Sequence, residues 1–263
     1  MLGHGLPRLE AEADDAHGPA VRDLLEAERP WVLGGHVVVN IIHATGVEGA
    51  RRATGTVVVI DVLRSFTVSA YALAGGAREC RLVKTVAEAR ELATRTPGAV
   101  ISAEEEALPV AGIPVSNSPT AIRDLDLTGR VLIQRSTAGT QVVAAVKSSP
   151  IYAASLVVAT ATAQACLLRD PQTLTLVASA DHPEDHACAA YIEKLIRGET
   201  ADLDELLGAL RATERYRRVL SGTWPGFPPT DLELALRPDV FDFAMPVSRA
   251  EGYLTLKASS AAS

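Results

Sequence analysis

Aromatic residues make up only 4% of this 263-residue chain, and cysteines number three. Positive charge is also short: 25 Lys and Arg stand against 32 Asp and Glu, for a net charge of −7. A nucleic-acid binder needs a basic surface and stacking rings, so no nucleic-acid partner is expected. Cys80, Cys166 and Cys188 are widely spaced and form no Cys-x-x-Cys pair, which predicts reduced, buried thiols in a cytoplasmic protein. Through Glu28 the N-terminus is peppered with Glu, Asp and Arg and lacks the apolar core of a signal peptide. The uncharged stretch 148–168 carries Pro150, Ser155, Thr160, Thr162 and Gln164, where a membrane span would be uniformly apolar. Neither membrane nor export is expected. Catalytic signatures are missing too. The chain has no Arg-His-Gly and no Gly-x-Ser-x-Gly, and Leu63 stands where an Asp-x-Asp motif starting at Asp61 would need its second acid. For phosphate chemistry, what remains is a metal ion plus positioning.

The chain is long enough to bury a sizeable core in one large α/β domain or two small ones. Residues 1–30 read as an N-terminal appendage with a short helix, ending at Arg29-Pro30. Residues 31–257 read as the α/β domain, with a duplication of two similar halves left open, and 258–263 as a disordered tail. Apolar runs predict strands at 36–42, 57–61, 81–83, 99–102, 131–134, 151–154 and 173–178. Ala-rich stretches between them predict helices at 65–74, 86–95, 140–147, 161–168 and 184–197. That alternation predicts a three-layer α/β/α fold with a mixed, largely parallel sheet. One more helix is expected over 202–220, its Arg211, Arg215, Arg217 and Arg218 read as surface charge complementing the helix dipole. Residues 221–229, rich in Gly and Pro, read as a loop.

Four loops after predicted strands could carry chemistry. The β-branched run Thr56 to Ile60 ends on Asp61, with Arg64 three residues on. At the C-terminal edge of an α/β sheet this pair offers a metal ligand or base beside an anion clamp. Equally, Asp61 could cap the next helix and pair with Arg64. Glu104, Glu105 and Glu106 follow the fourth strand; they suit a magnesium ion, and an acidic surface turn accounts for them as well. Downstream, Ser118 reads as a helix N-cap with Pro119 at the first helical position, and Asn117 precedes it. The third loop, Arg135-Ser136-Thr137-Ala138-Gly139-Thr140, packs hydroxyls, a glycine and an arginine between a strand and a helix. It reads as an anion cradle or as a polar turn, without the Gly-Lys-Ser/Thr of a Walker loop. In the fourth, Glu184 and Asp185 open a helix, where the dipole favours acids. His182 and His186 have a zinc-like spacing, but Pro183 interrupts the helix they would share, and an exposed histidine pair accounts for them.

Taken in order, Val59-Ile60-Asp61-Val62-Leu63-Arg64, Glu104 with Asn117-Ser118-Pro119, the 134–140 loop, Glu184-Asp185 with Ala187-Cys188-Ala189, and the 242–247 segment resemble the 2-phosphosulfolactate phosphatase family of coenzyme M biosynthesis. The resemblance implies a three-layer α/β/α fold and a Mg2+-dependent phosphatase acting on a small anionic phosphorylated substrate, with a homodimer left open. It implies Asp61, Glu104, Glu184 and Asp185 as metal or water-activating groups. By the same resemblance Asp61, Arg64 and Glu184 are catalytic, and Arg64, Asn117, Ser118, Arg135, Ser136, Thr137, Gly139 and Thr140 bind substrate. The chain departs from the family pattern in two places. Ala103, Glu106 and Ala107 surround Glu104 where the family has glycines, and Val115-Ser116 replace an aromatic and a glycine. Such glycines permit positive φ or close approach, so their loss predicts a reshaped pocket and another substrate. A lyase or other enzyme on the same scaffold, and a non-catalytic ligand-binding homologue, are the alternatives.

Overall fold

The computed structural model describes residues 39–260. The expected appendage over 1–30 lies outside the described residues. From Asn40, strands and helices alternate as β1 (Asn40–Thr45), α1 (Gly46–Arg52), β2 (Thr56–Ile60), α2 (Ser65–Ala74), β3 (Glu79–Leu82), α3 (Val86–Thr94) and β4 (Val100–Glu105). Next come β5 (Leu108–Pro109), α4 (Pro119–Arg123), β6 (Val131–Arg135), α5 (Gly139–Ala145), β7 (Ile151–Ala154), α6 (Ala159–Leu167), β8 (Thr173–Ala178) and α7 (Pro183–Arg197). Four short helices follow, α8 (Leu203–Leu206), α9 (Gly208–Arg211), α10 (Glu214–Leu220) and α11 (Thr230–Ala235), and then β9 (Phe243–Ala250), β10 (Tyr253–Leu256) and β11 (Ser259–Ser260).

These strands join one sheet in the order β1-β8-β2-β7-β9-β10-β3-β6-β4-β5, with β11 on β9. Two parallel blocks, β1-β8-β2-β7 and β3-β6-β4, flank the antiparallel pair β9–β10. Three successive antiparallel pairings separate the blocks, so they run in opposite senses. β9 serves both: Met245 and Pro246 pair with β7, while Val247 to Ala250 pair with β10.

Burial along β2 shows why the fold has three layers. Side chains alternate across a strand. Val57 and Val59 pack with Val68 of α2 and Val142 and Val143 of α5. Val58 and Ile60 pack with Ala163 and Cys166 of α6 and Ala187 and Ile192 of α7. Both faces are covered, as a continuous β-branched run requires. All three cysteines are free and buried, as expected. No described helix is long and apolar enough to cross a membrane.

The structure corrects the sequence reading in three places. The 202–220 helix is broken into α8, α9 and α10, because Gly208 weakens it and Thr213 starts α10 afresh, its Oγ accepting the Tyr216 N–H at 3.0 Å. Residues 258–260 are not a tail: Ser259 and Ser260 pair with Ala244 and Phe243. The elements α1, α11, β9 and β10 were not expected at all, being short or mixed in periodicity.

Candidate active site

The C-terminal end of β2 delivers Asp61 into the interior. Its Oδ1 accepts the Ser65 N–H at 2.9 Å, so the carboxylate does cap α2. Burial nonetheless raises its pKa above the ordinary carboxylate value; the Ser65 N–H and the Arg215 charge oppose the rise, and Glu104 adds to it. Beside it the first turn of α7 carries Glu184 and Asp185, both buried. Asp185 is anchored at both oxygens, by the Val62 N–H at 2.8 Å and the Ser179 hydroxyl at 2.9 Å. Burial, then the charge of Asp61, lifts its pKa well above the usual range.

Glu184 is different. It is fully buried, and neither carboxylate oxygen has a hydrogen-bond partner. Arg215 Nη1 lies 2.9 Å from Oε1, an ion pair that lacks hydrogen-bond alignment. Burial raises the Glu184 pKa, while Arg215 pulls it back. Arg215 comes from α10 and is held by a 3.0 Å bond from Nη2 to the Leu63 carbonyl. Burial and this same guanidinium depress the nearby His182 to about 4.

The second block supplies a facing wall. Thr137 donates its N–H and its hydroxyl to Glu104, which also accepts the Ala107 N–H at 2.6 Å. Glu104 thus ties the β4–β5 turn to the β6–α5 loop, and Arg135 donates to the Glu104 carbonyl. Ser65 Oγ lies 3.0 Å from Ser136 Oγ, which accepts the Thr140 N–H at 3.1 Å. Gln134, fully buried, donates to the Ser65 carbonyl at 2.7 Å and to Asn117 Oδ1 at 3.1 Å. Gly139 completes the contact, since a Cβ there would stand 2.6 Å from Asp61 Oδ2. The first turns of α2 and α5 therefore close the two parallel blocks on one acidic centre.

Arg64, expected as the anion clamp, has another setting. Its Nη1 donates to the Gly226 carbonyl and, at 3.1 Å, to buried Asp231; Nη2 reaches the Ala107 carbonyl, and Phe227 lies 4.0 Å from the guanidinium carbon. Asp231 also accepts from the Ser118 hydroxyl at 2.6 Å and the Thr120 N–H at 3.1 Å. Arg64 and Ser118 thus pin the 221–231 segment to α4, and Ser118 caps that helix as expected.

The acidic loop bends sharply without glycine. Glu106 (φ +52°) and Ala107 (φ +62°) both occupy the left-handed region, forming the two-residue turn between β4 and β5. That backbone is one glycine would favour, and the Glu105 and Glu106 side chains are exposed. Val115 and Ser116 run beside β4, with Ser102 Oγ donating to the Ser116 carbonyl at 3.0 Å.

Sequence reasoning missed Arg215, Asp231, Ser65 and Ser179. Arg215 was hidden in an arginine-rich helix; Ser65 and Ser179 stand just past strand ends, a position that could have flagged them. Among the described residues no three His, Cys, Asp or Glu side chains converge into a preformed cation centre.

Residues 42–223 match the family described as 2-phosphosulpholactate phosphatase. A probable 2-phosphosulfolactate phosphatase of Bacillus subtilis is 31% identical over 199 residues, 73% of this chain and 86% of its own length. Proteins with the same description from Thermotoga petrophila and Thermoplasma acidophilum are 34% and 30% identical, covering 64% and 69% of this chain and 72% and 81% of theirs.

Proposed function

The chain belongs to the 2-phosphosulfolactate phosphatase family, and from that premise we propose that it is a magnesium-dependent phosphatase of a small phosphorylated acid. One observation carries the reading: the buried Glu184 carboxylate, with no hydrogen bond on either oxygen, gathered with buried Asp61 and Asp185 against Arg215. Three buried carboxylates that repel one another are costly unless a proton or more positive charge than Arg215 supplies meets them. Magnesium takes oxygen donors and is commonly held by only one or two carboxylates together with substrate phosphate, so the absence of a three-acid cluster does not conflict with it. Asp61 and Glu184 are the residues that would hold the ion, which when bound neutralises phosphoryl oxygens and acidifies water.

The remaining work falls to the chain. Asp185, fixed by Val62 and Ser179, holds the start of α7 against the end of β2 and so positions Glu184. Burial raises the Glu184 pKa, and a cation bound there would hold the carboxylate ionised. Glu104 and the Ser136–Gly139–Thr140 wall fix the far side of the acidic centre. The Glu105 and Glu106 side chains are exposed and the relatives share one description, so 2-phosphosulfolactate heads the candidates. Three buried, unpaired thiols support a reducing, cytoplasmic setting.

Phosphate release from 2-phosphosulfolactate and a panel of phosphorylated hydroxy acids, with magnesium and then with EDTA, tests the proposal. Magnesium-dependent phosphate supports it. Binding without turnover of any member rejects it in favour of a non-catalytic homologue.

A further inference from the structure

Two arginines stand near the acidic centre, and they are engaged differently. The guanidinium of Arg64 is enclosed by Asp231, the Gly226 and Ala107 carbonyls and the Phe227 ring. Arg215 enters from the other side, on α10. One edge of its guanidinium is fixed, Nη2 donating to the Leu63 carbonyl two residues after Asp61. Its Nη1 is buried, 2.9 Å from Glu184, and donates no hydrogen bond. The side chain as a whole is 22% exposed, although Nη1 itself is buried. The guanidinium N–H suits an anionic oxygen, and the two carboxylate oxygens, which would repel one, suit a cation bound with it.

We propose that Arg215 is the anion-recognition residue of this site, donating from Nη1 to a phosphoryl oxygen of the substrate. The inference rests on the phosphatase reading for the identity of the anion. Arginine suits the task, because its planar fork can keep the Leu63 bond on one nitrogen while the other grips an oxygen. With the anion in place Nη1 gains an aligned acceptor, and the charge of Arg215 is shared between Glu184 and the phosphoryl group. The break between α9 and α10 has a function on this view: a continuous 202–220 helix would present Arg215 in a different register, whereas the Thr213 cap restarts the helix two residues before it. Its neighbours on the same helix are otherwise engaged. Arg218 stacks on Trp224 at 4.4 Å, and Arg217 donates to the Ala212 carbonyl at 3.3 Å.

The test is calorimetric titration of inorganic phosphate in magnesium buffer, on the parent, Arg215→Met, Glu184→Gln and the double variant. A charge-assisted hydrogen bond implies a loss of roughly 10- to 100-fold in phosphate affinity for Arg215→Met. If Arg215 contacts the anion, that loss persists in the Glu184→Gln background. If Arg215 only neutralises Glu184, the loss vanishes there, and the proposal is overturned. Should Glu184→Gln alone abolish phosphate binding, Arg215→Lys decides: it keeps the charge beside Glu184 but loses the fork. Weakening by tenfold or more then supports the proposal, and parental affinity overturns it. A parent that binds no phosphate also overturns it. A parent that binds phosphate through Arg215 yet hydrolyses no monoester defeats the phosphatase reading while leaving this one standing.

Discussion

Gly139→Ala adds one methyl group where the two parallel blocks meet. That Cβ would lie 2.6 Å from Asp61 Oδ2 and 2.9 Å from both Cβ and Oγ of Ser65. Non-bonded contacts to carbon settle at about 3.5–4.0 Å, so something must move by roughly 1 Å. Asp61 cannot easily retreat, because Ser65 N–H holds its other oxygen at 2.9 Å. Ser65 is itself tied to Ser136 at 3.0 Å. The displacement therefore falls on the Asp61 carboxylate or on the start of α5. A misplacement of that size costs about 100-fold in rate, equivalent to roughly 2.7 kcal/mol. Overpacking would cost about 1–3 kcal/mol of stability, offset in part by about 0.4–1 kcal/mol from a stiffer unfolded chain, since Gly139 does not occupy the left-handed region. The expected signature is a modest fall in Tm beside a large fall in kcat/KM. Gly208→Ala is the control: it lies in a helix with open space around it, so Tm should rise slightly and the rate should not change. Parental kcat/KM in Gly139→Ala, measured by phosphate release, would refute the placement of Asp61 at the reacting centre.

Asp61→Asn should abolish turnover while leaving Tm within a few degrees of the parent; unchanged rate and magnesium dependence would exclude Asp61 as a ligand or base. Arg64→Met should lose about 3–5 kcal/mol in urea unfolding, because it strands Asp231 as an uncompensated buried charge. Ala107→Gly should raise stability by up to about 1 kcal/mol, the left-handed penalty of about 1–2 kcal/mol being relieved against the added freedom of glycine in the unfolded chain. Asp185→Asn tests the raised carboxyl. A raised folded-state pKa gives stability below the ordinary value of 3.8 that is lost as pH rises through the folded value, so in metal-free buffer the Tm of the variant relative to the parent should climb with pH from the acidic range to neutrality. A flat difference would show that Asp185 titrates normally.

The core of this fold was legible because its strands are β-branched runs buried on both faces. β2, β7, β8 and α2 lie within a residue of their expected bounds. The hairpin β9–β10 was not, since Phe243 to Ala250 alternates poorly and is half exposed. At the site, position at a strand end identified Asp61, Glu184 and Asp185, which physics explains: the loops that leave parallel strands are where an α/β sheet exposes polar groups. Position could not tell which arginine pairs with Glu184. Arg64 and Arg215 have the same chemistry, and what separates them is Asp231, 167 residues from Arg64, and the restart of a helix at Thr213. The positions that lack glycine are a related case: Glu106 and Ala107 take left-handed conformations, held by hydrogen bonds from the Glu106 N–H to Thr137 Oγ1 and from the Ala107 N–H to Glu104.

Hydrolysis of 2-phosphosulfolactate in water enriched in 18O tests the central claim most directly. Attack of water at phosphorus, held at the Asp61–Glu184 centre, places one solvent oxygen in each phosphate released. Mass spectrometry should therefore find singly labelled phosphate and unlabelled sulfolactate at every time point, and none of either from Asp61→Asn. Unlabelled phosphate, with the heavy oxygen in the organic product or with an unsaturated product, would mean that the carbon–oxygen bond breaks and that the chain is not a phosphatase.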